Sequence, residues 1–276
     1  MNFFKKAKPY LKVLGLISVF AFLFLHQFSD KPGFFGFIGN LATLWYQNCI
    51  LIGFVAIFYI IKIHKFYITD ILFSLLFGVL ISLNNNFNPL IVPITVLTFY
   101  SACCIFRKYN FMEKVFASDL KTTIKSIGFG LAVGIIPAIF NVVEYYIKGG
   151  YTLPKFSFSN LISGALGALQ PGIFEEVLFR FFLYAFVVSA FKGEIPKNKF
   201  ATIMTWFLMI CPHCIMHGEF SVERFISEPF FAIANLVYMC VVFGVPTVWL
   251  MKKKNIQSSM AAHWLFDFLR FWIAQR

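Results

Sequence analysis

The hydrophobic pattern of this chain consists of long apolar segments separated by short polar stretches. About nine segments approach the ~20 residues that a helix needs to cross a bilayer. Their approximate bounds are 10–28, 41–61, 67–83, 89–106, 126–147, 160–191, 200–217, 229–251 and 257–273. The third and fourth segments, which flank Asn84–Asn86, are short, so eight spans is the alternative. The pattern predicts an all-α fold: a polytopic membrane helix bundle with about 8–9 transmembrane helices.

The sixth segment is too long for one straight helix. Pro171 and Gly172 interrupt it, and a proline removes a backbone donor and favours a kink or a break. The sequence therefore predicts a half-helix or surface helix over 160–170, followed by a longer helix that begins just before Glu175.

Composition supports the membrane assignment and excludes one class of partner. Hydrophobic residues make up 59% and charged residues 13% of the chain, against about 45–50% and about 25% in soluble domains. This indicates an integral membrane protein in contact with the lipid bilayer. The formal net charge is +12, but the basic residues cluster at the ends of apolar segments. Without a basic groove or a stacking motif, the charge gives no support for nucleic-acid binding.

The distribution of basic residues predicts an orientation. A cytoplasmic N-terminus places on one side of the membrane Lys62, Lys65, Arg107, Lys108, Lys114, Lys192, Lys197, Lys199, Lys252, Lys253 and Lys254. The opposite loops carry Asp30, the Asn84–Asn88 run, Glu219, Glu223 and Glu228. This alternation follows the positive-inside rule and predicts a multi-pass protein of the plasma membrane. The first span lacks a small-residue cleavage site and is expected to stay as an anchor.

Several ionisable residues lie inside apolar segments. The chain has only 12 acidic residues, and burying a carboxylate without a partner is costly, so such groups indicate function. Glu176 and Arg180 are four residues apart, a spacing that predicts an ion pair on one helix. Glu175 points about 100° away and is left for chemistry. A purely structural ion-pair network is an equal alternative for these three residues.

Histidines in later segments provide partners for Glu175. His263 and Asp267 are four residues apart on the last span, so the carboxylate can orient the imidazole; a polar helix–helix contact is the alternative. His217 ends the seventh span, where an interfacial histidine is the alternative. His213 lies one turn earlier and rivals His217. Ionisable groups from three helices are what a site in the core of a bundle requires.

The six cysteines lie within or beside apolar segments, where a cysteine usually acts as a small buried apolar residue. Cys211 and Cys214 form a CxxC pair that encloses His213, so a metal or redox site is an alternative. A structural zinc site needs a second pair of ligands to complete its tetrahedron, and the sequence offers no second CxxC.

These residues resemble the motifs of a known family. Residues 175–180, Glu-Glu-Val-Leu-Phe-Arg, match the EExxxR motif of the CAAX-protease and bacteriocin-processing (CPBP, or Abi) intramembrane endopeptidases, and His263 to Asp267 is similar to their HxxxN or HxxxD motif. Residues 213–217 are similar to their FxxxH motif, with His213 in place of the aromatic residue. The resemblance covers about 160–273. It divides the chain into N-terminal transmembrane helices, 1–150, without an assignment, and a CPBP-like protease core, 151–276.

The resemblance implies hydrolysis of a peptide bond in a membrane-associated peptide or protein. Glu175 would activate water with His217, while His263 and Asp267 would stabilise the oxyanion, and Glu176 and Arg180 would support them. Glu175, His217 and His263 are also acceptable zinc ligands. We favour the metal-free mechanism, because the chain has no HExxH helix.

Two other functions remain open at this point. A protein of the same fold can be a non-catalytic scaffold or immunity protein. In a proton-coupled transporter, Glu175, Glu144 and the histidines would form a proton path. A protease requires its groups to converge on one cavity, whereas a proton path distributes them across the bilayer.

Overall fold

The computed structural model describes residues 2–26, 44–63, 65–84, 89–149, 158–194, 199–217 and 222–274. Within these ranges all regular structure is helical. The α-helices are α1 (Asn2–His26), α2 (Leu44–Ile63), α3 (Ile68–Ser82), α4 (Ile91–Lys108), α5 (Met112–Val115), α6 (Leu120–Gly149), α7 (Phe158–Gly167), α8 (Leu169–Glu175), α9 (Leu183–Ala190), α10 (Lys199–His217), α11 (Val222–Ser227), α12 (Pro229–Met239), α13 (Val245–Lys253) and α14 (Ile256–Ala274). The all-α prediction is confirmed for these ranges.

Four helical stretches in the described ranges are long and apolar enough to cross a membrane: Ile91–Lys108, Met112–Ile147, Lys199–His217 and Pro229–Lys253. Two shorter apolar helices cover Gln47–Ile63 and Ile68–Ser82. The count of about 8–9 spans therefore stays a prediction. Residues Asp30, Asn85–Asn88, Lys197 and Glu219 lie outside the described residues, as does the boundary at 150/151. The orientation and the domain division therefore also stay predictions.

One continuous helix carries the paired glutamates. It consists of α8, a π-helical segment (Glu176–Phe182) and α9. The sequence predicts a break at Pro171-Gly172, but the structure has it at Ala168, between α7 and α8. Pro171 lies in the first turn of α8, where its missing N–H has no intrahelical partner to lose. The first turn of α8 therefore accommodates the proline, and the break was predicted about three residues too late.

The helix with the paired glutamates runs through the centre of the bundle. Phe179, Phe181 and Phe182 are fully buried. Phe181 stacks on Phe99 of α4 with ring centroids 5.1 Å apart and contacts Phe106 at 5.0 Å. Because this helix is enclosed by its neighbours, its polar residues have to find their partners inside the protein.

A seam of small residues joins α6 to α14. A Cβ atom added at Gly134 would lie 2.9 Å from Cα and 3.0 Å from O of Ala262, and one added at Gly130 would overlap the carbonyl group of Ser258. Small residues allow two helices to approach at backbone distance. This seam fixes the position of α14, which carries His263.

We expect Gly130→Ala to destabilise the folded protein by about 1–3 kcal/mol, the usual cost of overpacking, because the backbone of α14 would have to move. Gly128 is the matched control, since a Cβ atom there meets nothing within 4 Å. Alanine is favoured over glycine in a helix by about 1 kcal/mol, so Gly128→Ala should be neutral or stabilising. The stability of both variants is measured by thermal unfolding in detergent. Equal unfolding midpoints would contradict the close contact between α6 and α14 at Gly130.

Candidate active site

Glu175, the last residue of α8, lies at the centre of a histidine cluster. Its carboxylate is buried, and its Oε2 atom lies 2.7 Å from Nε2 of His213 and 3.0 Å from Nε2 of His217. Nε2 of His263 is 3.3 Å from the same oxygen. One carboxylate oxygen thus contacts three imidazoles, contributed by α10 and α14.

The contacts of His213 determine its tautomer. Nη1 of Arg180 lies 2.7 Å from Nδ1 of His213, and a guanidinium can only donate. Nδ1 therefore accepts, Nε2 carries the hydrogen, and this hydrogen is donated to Glu175. The ring also stacks on Phe179, with centroids 5.0 Å apart. His213 is consequently buried and held at both of its nitrogens.

His217 lies one turn further along α10 and is more open. Its side chain is 37% exposed, against 6% for His213. The two rings meet edge to face with centroids 4.5 Å apart. The sequence treats His213 and His217 as rivals for one position; the structure places both at Glu175, in different surroundings.

Glu176 begins the π-helical segment and is fully buried. Its Oε1 lies 3.4 Å from Nε of Arg180 and 2.7 Å from Nδ1 of His263, and its Oε2 accepts a hydrogen bond from the hydroxyl of Ser259. Nε of Arg180 also donates to Oγ1 of Thr247 at 3.2 Å. The predicted Glu176–Arg180 contact is present. The other bonds of these two residues connect the central helix to α13 and α14.

His263 is surrounded by carboxylates. Besides its contacts with the two glutamates, its Nε2 lies 3.4 Å from Oδ2 of Asp267. Oδ1 of Asp267 accepts from Nη2 of Arg270 at 2.7 Å. Three carboxylates and two guanidiniums leave one negative charge, which a cationic His263 balances. The sequence reasoning missed Arg270, although its spacing of three residues from Asp267 was a usable signal.

A small cavity of about 60 Å³ adjoins these groups. It exceeds the ~10–15 Å³ that one water needs. Its lining consists of Asn141, Arg180, His213, His217, Met239, Phe243, Thr247, His263, Phe266, Asp267 and Arg270. Nη2 of Arg180 is buried and has no hydrogen-bond partner among the described residues. Arg180 is therefore a residue of the cavity wall with one guanidinium nitrogen that bonds to none of the described residues.

Part of the cluster has the spacing of a metal site. Ligand atoms of Glu175, His213 and His217 lie within 4.8 Å of one another, a set that contains His213 in place of the predicted His263. Zinc binds the lone pair of an imidazole nitrogen. Nε2 of His213 carries a hydrogen, because Nδ1 accepts from Arg180. The arrangement of His213 therefore does not fit a metal ligand.

The redox and transporter alternatives from the sequence involve residues beyond this cluster. Cys211 and Cys214 are free cysteines, and the histidine between them bonds to Glu175 and Arg180. Seven ionisable residues converge on one place instead of extending across the bundle: Glu175, Glu176, Arg180, His213, His217, His263 and Asp267.

Residues 157–269 match the family model of the type II CAAX prenyl endopeptidases, Rce1-like. This part of the chain is similar to that family. The match confirms the resemblance to the CAAX proteases. It includes Glu175, Glu176, Arg180, His213, His217, His263 and Asp267, and it ends just before Arg270. The family is one of proteases, which implies a peptide or protein substrate, and the apolar helices indicate a membrane protein. Comparison with curated proteins and with solved structures gives no match.

Proposed function

We propose that the chain is an intramembrane endopeptidase of the CAAX type that hydrolyses a peptide bond in a membrane-associated peptide or protein. The observation that carries this proposal is the single buried oxygen of Glu175, which contacts three imidazoles beside a cavity large enough for water. The protease core is 151–276, and 1–150 supplies further membrane helices. The basic loop residues support a plasma-membrane protein with about 8–9 spans and a cytoplasmic N-terminus.

Glu175 acts as the general base. It takes a proton from water while the oxygen of that water attacks the peptide carbonyl, and it later returns the proton to the leaving amine. A positioned base contributes about 10²–10⁴-fold to the rate. His217 is the histidine beside the water, because it is the more exposed of the two on α10. His213 orients Glu175 and links it to Arg180.

The oxyanion of the tetrahedral intermediate needs hydrogen-bond donors. Nε2 of a cationic His263 is one donor, and Nη2 of Arg180 is the second, since both residues line the cavity and that nitrogen is unsatisfied. Asp267 is an acceptor when ionised; it orients His263 and stabilises its positive charge. Removing one oxyanion donor typically costs about 10²–10³-fold in rate.

The proposal is tested with purified protein in liposomes and a panel of synthetic membrane-anchored peptides, with and without a prenylated cysteine. Incubation in heavy-oxygen water should place the label in the new C-terminal carboxylate of a product, which mass spectrometry detects. If this protein hydrolyses the peptide bond, one oxygen of the new carboxylate comes from water and carries the label. A proton-coupled transporter or a scaffold would leave all peptides intact.

We expect cleavage to survive exhaustive chelation. The reason is that His213 accepts from Arg180 at Nδ1 and offers only an N–H to Glu175, while a cationic His263 has no lone pair for a metal ion. The cluster therefore works as a hydrogen-bonded base. Initial rates before and after dialysis against a strong chelator, with elemental analysis, measure this. Loss of activity that zinc alone restores would show that catalysis depends on the ion.

A further inference from the structure

A second cavity lies on the face of α14 opposite the catalytic cluster. Ser259 and His263 face the glutamates, whereas the cavity contacts residues about half a turn away, Met260, Ala261 and Trp264. Its volume is about 620 Å³. The rest of its wall comes mainly from apolar side chains of α3, α6 and α8, among them Leu76, Leu80, Ile127, Leu131 and Leu169.

A polar cavity of about 730 Å³ adjoins the apolar one. The two share Phe73, Phe116 and Ser118 as lining residues. The charged residues that line the polar cavity are Asp70, Arg107 and Glu113. An elongated ligand can therefore place an apolar part and a polar part in neighbouring spaces, each within the ~300–1,000 Å³ of ordinary ligand sites.

The polar and apolar cavities are arranged like the head group and the acyl chain of a lipid in a bilayer. The polar cavity lies where α4 ends in Arg107 and Lys108, and a basic helix end is typical of the membrane surface. The apolar cavity continues from Phe73 to Leu80 along α3 and from Leu120 to Leu131 along α6, which is the direction that an acyl chain takes into the hydrocarbon layer.

The charged residues of the polar cavity indicate which lipid head group it can bind. Nε and Nη2 of Arg107 each bond to the buried carboxylate of Asp70 at 2.6 Å. This pair is neutral overall, and Nη1 is the guanidinium nitrogen left for a phosphate oxygen. Glu113 adds a negative charge, which disfavours a purely anionic head group and suits an ammonium.

We propose that these two cavities bind one phospholipid with a phosphoethanolamine head group. The phosphate contacts Arg107, the primary ammonium contacts Glu113, and one acyl chain fills the apolar cavity. The acyl chain then packs against α14 and helps to hold that helix in place. Gln257 at the start of that helix already exchanges two hydrogen bonds with Ala117, of 3.2 and 2.8 Å, and both residues line the apolar cavity.

Lipid retention tests the head group. The full chain is reconstituted with equal amounts of dioleoyl phosphatidylethanolamine, phosphatidylcholine and phosphatidylglycerol, extracted in mild detergent, and examined by native mass spectrometry. We expect phosphatidylethanolamine to be retained in preference to the other two lipids. Glu113→Gln should reduce its preference over phosphatidylglycerol by about two- to fivefold, the effect of one partly exposed ion pair. Equal retention of the three lipids by the unmodified protein would overturn the proposal.

Filling the apolar cavity tests the acyl chain. Leu76→Trp should lower the fraction of protein that retains lipid, whereas Val79→Trp, on an exposed position of α3 outside the cavity lining, should not. Equal loss in both variants would refute the site, and if Leu76→Trp fails to fold, the head-group comparison decides. A farnesylated peptide that fills the cavity in protein without retained lipid would assign the space to a substrate instead.

Discussion

Replacing Glu175 with glutamine is expected to reduce peptide cleavage by about 10²–10⁴-fold or more, because the amide cannot take a proton from water. The amide oxygen can still accept hydrogen bonds from His213 and His217, which now bond to Oε2 at 2.7 and 3.0 Å. We therefore expect Glu175→Gln to insert into membranes and to unfold at nearly the same temperature as the unmodified protein. Initial rates on a cleaved peptide and a thermal-unfolding scan measure the two effects.

Glu194→Gln is the matched control for this substitution. Glu194 is an exposed carboxylate that follows α9, so its replacement should change neither cleavage nor stability. Cleavage that persists in Glu175→Gln would exclude Glu175 as the base. A Glu175→Gln protein that keeps the full biological activity of the chain without cleavage would favour the scaffold.

Much of the fold could be predicted from the sequence, because few backbone structures can cross a membrane. Backbone polar groups in hydrocarbon need internal partners, so an apolar segment of sufficient length becomes a helix. The segment 200–217 is observed as Lys199–His217, and 229–251 lies within α12, a second π-helical segment and α13. The two π-helical segments, Glu176–Phe182 and Cys240–Gly244, were not predicted. A π-helical segment gives no periodic signal in hydrophobicity, although such segments are frequent at functional sites.

The sequence predicted which residues form the candidate site, but not all of the hydrogen bonds that join them. Helical spacing and three motifs pointed to Glu175, the two later histidines and Asp267, and the structure brings them together. The sequence could not assign different roles to His213 and His217, because only His213 is shown to bond to Arg180. That side chain reaches Nδ1 of His213 from a π-helical segment, a tertiary contact without a counterpart in local spacing. Their catalytic roles stay our proposal.

Arg180→Met is expected to destabilise the folded protein by about 3–5 kcal/mol, the usual cost of removing one partner of a buried ion pair. The side chain is fully buried and contacts Glu176, Thr247 and His213. The amount of protein that accumulates in membranes and its unfolding temperature in detergent should both fall. Lys253→Met, which removes an exposed positive charge, is the control and should change neither.

The double variant Glu176→Gln/Arg180→Met separates the structural role of Arg180 from its catalytic one. Removing both charges of a buried pair is often close to neutral, so accumulation and unfolding temperature should recover in part. Cleavage should stay low, because the double variant lacks the Nη2 donor beside the cavity and the contact that fixes His213. A double variant that recovers stability and cleavage together would show that Arg180 acts only by balancing the charge of Glu176.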